Sequence, residues 1–136
     1  MRFLFVGLGL LLTQLAAAQT TKPTAQTATA PQPGKAIYTQ YCLTCHQANG
    51  SGVPGLNPPL RGTDWVTGDK ERLINVLLKG LQNAEIDGEV YDNAMPAHDF
   101  LTDQQLADVL TYIRSNFGNK ATPVTADEVK TVRNAK

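Results

Sequence analysis

Apolar side chains recur along this chain in three stripes of helical period, separated by stretches with no period at all. Ile37, Tyr38 and Tyr41 lead into Cys42 and Cys45 at spacings of three and four, which predicts a short amphipathic helix over residues 34–46. Leu73, Ile74, Leu77, Leu78 and Leu81 form the second stripe, with Gly80 near its end as a stop signal. Leu106, Val109, Leu110, Ile113 and Phe117 form the third and clearest. Thr102 with Gln105 makes a capping-box start for that helix, and Gly118 is a natural stop after it. A weaker fourth helix follows Thr125, where Glu128 completes a second capping box. Residues 47–68 are rich in glycine and proline, and residues 82–101 contain Gly88 and Pro96. Loops this long are uncommon in a small domain and usually functional when present. No alternating apolar-polar run of any length appears, so the fold class is all-α.

The N-terminal segment stands apart from these stripes. Arg2 precedes an apolar run from Phe3 to Leu12, and Ala16-Ala17-Ala18 offers a small-residue cleavage site, so residues 1–18 are expected to be a secretory signal peptide. A retained membrane anchor competes with this, but the run breaks at Thr13 and Gln14, short of the roughly 20 apolar residues a spanning helix needs. Residues 19–33 hold no large apolar side chain and three prolines, the composition of a flexible tether. The folded domain is expected over 34–118, with residues 119–136 as a C-terminal extension containing a short helix. At 136 residues the chain suits one domain. Its 12 basic and 12 acidic side chains balance, so nothing in the charge recommends nucleic acid or an anionic membrane as partner. Export places the protein in the periplasm, and cleavage after residue 18 leaves Met95 as its only methionine.

Export also changes how Cys42 and Cys45 are read. Two cysteines in an exported chain ordinarily suggest a disulfide, but here they stand in Cys42-Leu43-Thr44-Cys45-His46. C-x-x-C-H is the attachment signature of c-type haem. On a helix the two thiols share one face and reach the two vinyl groups of one porphyrin, while His46, four residues after Cys42, turns its imidazole to the iron. A thioredoxin-type redox pair would need a βαβ context, and a zinc site a second cysteine pair; the sequence has neither. The sixth iron position has four candidates: Met95, His98, a lysine, or nothing. A soft thioether opposite histidine raises the reduction potential, which suits electron transfer, and Pro96 restricts Met95 to extended backbone in a ligand-bearing loop. Met95 is therefore the expected ligand, with His98 as the alternative.

With these motifs in place, residues 34–117 resemble the class I cytochrome c family. Gly34, Tyr38 and the C-x-x-C-H run look like that family's first helix, and Tyr112 matches the aromatic position of its last helix. Pro58-Pro59-Leu60-Arg61-Gly62 is similar to the family's P-x-L-x-G segment. The resemblance implies that the Pro58 carbonyl accepts a hydrogen bond from the His46 ring and that Leu60 packs on the haem. It leaves Trp65 with two readings, a donor to a haem propionate or a buried aromatic bonded to backbone, and leaves Arg61 equally open. Met95-Pro96 and Leu101-Thr102-Asp103 resemble the ligand loop and last-helix start of bacterial members. The implied architecture is three main helices and long loops around one covalent haem. The expected partners are redox proteins (an oxidase, a cytochrome complex or a dehydrogenase), and the chain is expected to be a monomer. No catalytic constellation is present, so the expected function is one-electron transfer without an enzymatic role. It would serve either as a soluble respiratory carrier or as the cytochrome subunit of an exported alcohol or sugar dehydrogenase. Glu85, Asp87, Glu89 and Asp92 make the loop before Met95 mildly acidic.

Overall fold

A computed structural model describes residues 32–135. The signal peptide and nearly all of the tether expected from sequence lie outside those residues. Six helices follow in order: α1 Pro33–Tyr41, α2 Leu43–His46, α3 Asp64–Thr67, α4 Lys70–Lys79, α5 Asp103–Ser115 and α6 Ala126–Asn134. The single helix expected over 34–46 is thus divided at Cys42, whose φ of −113° departs from helical geometry. The axis nevertheless continues, because Cys42 N–H donates to Tyr38 O and His46 N–H to Cys42 O, both at 2.9 Å.

One element was not expected from the pattern. Glu85–Ile86 (β1) and Glu89–Val90 (β2) pair antiparallel across a turn at Asp87 and Gly88, both with positive φ. Asp-Gly is a strong hairpin signal, but its strands are two residues long and show no alternation to detect.

The core forms where α5 is crossed by its neighbours. Leu106, Val109, Leu110 and Ile113 of α5 are buried with Tyr38 of α1 and Leu73, Ile74, Leu77 and Leu78 of α4. The α1–α5 crossing is close. A Cβ on Gly34 would collide with the Asp108 carbonyl and lie 2.7 Å from the Tyr112 Cβ, so only hydrogen fits at that position. Tyr38, Tyr112 and Phe117 then stack with ring centroids 5.1–5.7 Å apart.

The C-terminal segment packs onto this same core. Val124 and Val129 are buried within it, and α6 contacts both α4 and α5. Its capping box forms as the sequence suggests, with Thr125 Oγ1 accepting from Glu128 N–H and the Glu128 carboxylate accepting from Thr125 N–H. Arg133 reaches the segment preceding α5, donating to the carbonyls of Asp99 and Leu101 and to the Asp103 carboxylate at 2.7–2.9 Å. Buried Arg114 joins three parts of the chain through the carbonyls of Val66, Gly68 and Thr122. Among the described residues no helix is long and apolar enough to cross a membrane.

Candidate haem site

Two adjoining cavities, of about 50 and 70 Å³, open beside the end of α1 and α2. Both are lined by Cys42, His46, Met95 and His98. The inner one continues into the core against Leu60, Leu77 and Leu110, and the outer one toward Cys45, Pro58 and Pro96. The two cysteines are not joined in a disulfide; Cys42 is half-buried and Cys45 exposed. Burial pushes the Cys42 thiol up to about 11, with Cys45 adding to the rise, so it stays protonated at neutral pH.

His46 is held in one tautomer. Its ring is buried, and Nδ1 lies 3.0 Å from the Pro58 carbonyl oxygen. A carbonyl can only accept, so Nδ1 carries the hydrogen and Nε2 keeps its lone pair. Burial lowers the imidazole's affinity for a second proton; the Pro58 bond works against this, and nearby His98 reinforces it. The result is a neutral imidazole with a free nitrogen, the form that binds a metal. Gly52 leaves the space this needs, since a Cβ there would stand 2.5 Å from the Pro58 oxygen.

Met95 is fixed by backbone rather than by its neighbours in sequence. It exchanges two hydrogen bonds with Leu81, N–H to O at 2.9 and 3.0 Å, just beyond the end of α4. His98 N–H donates to Leu77 O at 2.7 Å, so the four-residue segment is held at both ends by one helix terminus. Gly80 permits the approach. Its φ is +76°, and a Cβ would lie 2.5 Å from the Met95 carbonyl oxygen.

Leu60 also reaches the inner cavity, and a residue that the sequence did not single out keeps it there. Asn119 is buried and donates to the carbonyls of Leu60 and Ile113, while its own carbonyl accepts from Gly62 N–H at 2.9 Å. Arg61, between those two residues, is exposed. Trp65 is half-buried in α3 with the Arg72 guanidinium 4.7 Å over its ring. Neither Arg61 nor Trp65 lines the two cavities. The carboxylates of Glu85, Asp87, Glu89 and Asp92 are exposed beside the Met95 segment. No lysine or arginine occurs between Lys79 and Arg114.

The profile of the cytochrome c family matches residues 31–117. The chain belongs to the cytochrome c family. It is 41% identical over 110 residues to cytochrome c-552 of Thermus thermophilus, across 74% of this chain and 83% of that protein. It is 38% identical over 108 residues to the cytochrome c subunit of a quinone alcohol dehydrogenase from Gluconacetobacter polyoxogenes. A gluconate 2-dehydrogenase cytochrome c subunit from Pantoea cypripedii is 37% identical over 110 residues. The chain covers 23% and 24% of those two subunits, so it corresponds to one portion of each.

The class I resemblance seen in the sequence is therefore correct, and so is the all-α fold built around a single C-x-x-C-H motif. The cofactor of this cytochrome c is haem c, joined through Cys42 and Cys45, and its function is electron transfer. The site fits that group in its donor chemistry. Two thiols stand three residues apart, a neutral imidazole presents a free nitrogen, and the only described methionine shares the same walls. Among the described residues no cluster of three His, Cys, Asp or Glu side chains forms, which a zinc site of the usual composition would need.

Proposed function

We propose that this cytochrome is an exported one-electron carrier whose iron is bound by His46 and Met95. The observation that carries this is the convergence of Cys42, His46 and Met95 on one cavity, with the His46 tautomer set by Pro58 and the Met95 backbone set by Leu81. Haem supplies the electron-accepting centre; the chain supplies a nitrogen and a thioether that leave no position for substrate at the metal. Pro58 keeps the imidazole aimed and basic, Leu60 excludes water, and the Met95 segment, tied to Leu81, holds the thioether beside it. Little then has to move when an electron arrives, which suits a carrier and gives no route to enzymatic turnover.

The apolar N-terminal run followed by Ala16-Ala17-Ala18 supports export to the periplasm through a cleaved signal peptide, a location that suits service to a respiratory chain. A free, monomeric carrier is favoured by similarity to cytochrome c-552 over most of both chains. The match to dehydrogenase cytochrome subunits favours a second arrangement, in which the domain takes electrons from an exported alcohol or sugar dehydrogenase.

Optical spectra of the matured protein test the ligand assignment. A low-spin spectrum with the weak methionine-to-iron charge-transfer band, and no carbon monoxide binding to the reduced form, is expected. A high-spin spectrum with ready carbon monoxide binding would remove both Met95 and the carrier role. Size-exclusion of the native protein separates the two arrangements: elution as a small monomer supports the carrier, and co-elution with a large dehydrogenase supports the subunit.

A further inference from the structure

His98 is a polar group that the proposed ligation does not use, and it lies in the same place. Only 8% of its surface is exposed. Its Nδ1 is buried and has no hydrogen-bond partner. The ring lines both cavities together with His46 and Met95. It has three neighbours. The amide is bonded to Leu77 O, the Tyr41 ring stands edge-on at 6.3 Å, and the Phe100 ring lies at 5.8 Å. A buried polar atom in a native fold normally finds a partner. The inner cavity is otherwise walled mostly by leucine, valine and isoleucine, with Cys42, His46 and Met95 as its other chemistry-bearing side chains.

We propose that His98 is a reserve iron ligand, whose imidazole would bind the iron when the Met95 thioether is withdrawn. This rests on the His46–Met95 assignment and extends it. Two residues separate Met95 from His98 in sequence, and both ends of this segment are tied to the end of α4. A small shift within it exchanges one side chain for the other without disturbing α4 or α5. Imidazole is a harder donor than thioether and holds oxidised iron well, so the exchange is most favourable in the oxidised protein. While Met95 is bound, His98 stays on the cavity wall. Once the thioether is lost, His98 keeps the site closed to small ligands and lowers the reduction potential.

The test compares four holoproteins: wild type, Met95→Leu, His98→Phe, and the double variant. Phenylalanine keeps the ring packing against Tyr41 and Phe100. Far-UV circular dichroism first confirms that each is folded. Met95→Leu is expected to remain low-spin by electron paramagnetic resonance, without the methionine charge-transfer band. The double variant is expected to become high-spin and to bind carbon monoxide at least tenfold faster when reduced. If Met95→Leu is itself high-spin and binds carbon monoxide as fast as the double variant, the proposal is overturned. A low-spin double variant overturns it too, since another side chain then holds the iron. His98→Phe alone should keep the methionine band. If wild type lacks that band and His98→Phe opens the site, His98 is the resident ligand and the parent assignment fails instead. Should Met95→Leu not fold, wild type treated with a mild peroxide to convert Met95 to its sulfoxide gives the same comparison, with a low-spin product expected and an open one excluding the idea.

Discussion

The attachment segment, residues 42–46, and the ligand segment, residues 95–98, meet at one cavity but are built by opposite means. The first is local. Its three functional side chains lie within one turn and a half of nearly continuous helix, and hydrogen bonds four residues apart set their spacing. The second has no regular structure of its own. It takes its conformation from Leu77, Gly80 and Leu81, more than ten residues earlier in the chain. A helix can carry a motif anywhere it is placed, whereas a borrowed conformation exists only while its donor is folded. The first segment should therefore respond to the packing of its helix as a whole, and the second to single backbone contacts.

The largest expected effect comes from unseating the helix that carries the attachment segment. Gly34→Ala puts a methyl group into the Asp108 carbonyl and should cost more than about 3 kcal/mol. For a domain of this size, thermal unfolding of the holoprotein should fall by roughly 12 °C or more. A change below a few degrees would mean that the crossing of α1 and α5 relaxes freely. Gly80→Ala strikes the other segment. Strain at φ +76° and contact with the Met95 carbonyl should cost about 2 kcal/mol. The haem should stay attached while the methionine charge-transfer band weakens, and an unaltered band would show that the loop does not depend on α4.

Arg133→Ala removes three bonds to residues 99–103 from a half-buried side chain and should cost about 1–2 kcal/mol, measured by denaturant unfolding. Its signature is faster amide exchange at Leu101 than at Cys45, which sharpens the contrast between the segments. Glu128→Gln is the mildest. Lys70 and the Thr125 amide depress the Glu128 pKa, so its contribution is present above the ordinary carboxylate range and lost as pH falls through the depressed value. Because the pair is partly exposed, the difference at neutral pH should be under about 1 kcal/mol and should vanish in acid.

The same contrast explains what the sequence could reveal. Cys42, Cys45 and His46 are legible because their chemistry is fixed by spacing within five residues. Met95 stands out for another reason, as the only methionine among the described residues. Both capping boxes, Thr102 with Gln105 and Thr125 with Glu128, formed where they were expected because each is a contact over three residues. Asn119 and Arg114 were not foreseen. Asn119 bonds to Leu60 and Gly62 across 57–59 residues and Arg114 to Val66 across 48, and no period or local motif records such a meeting. The packing of α6 is illegible in the same way, since Val124 and Val129 are too few to make a stripe.

The Leu81–Met95 backbone pair has a consequence for how the chain first assembles. With the cofactor bonded to Cys42 and Cys45, the unfolded polypeptide already carries an iron beside residue 46, and folding becomes a search by later residues for that one point. Met95 and His98 lie 49 and 52 positions beyond His46, so closing the longer loop costs only about 0.05 kcal/mol more. Chain statistics therefore give neither side chain an advantage on first contact. On the proposed ligation the choice would rest on the end of α4, whose pairing of Leu81 with Met95 belongs to the folded chain and not to distance along it.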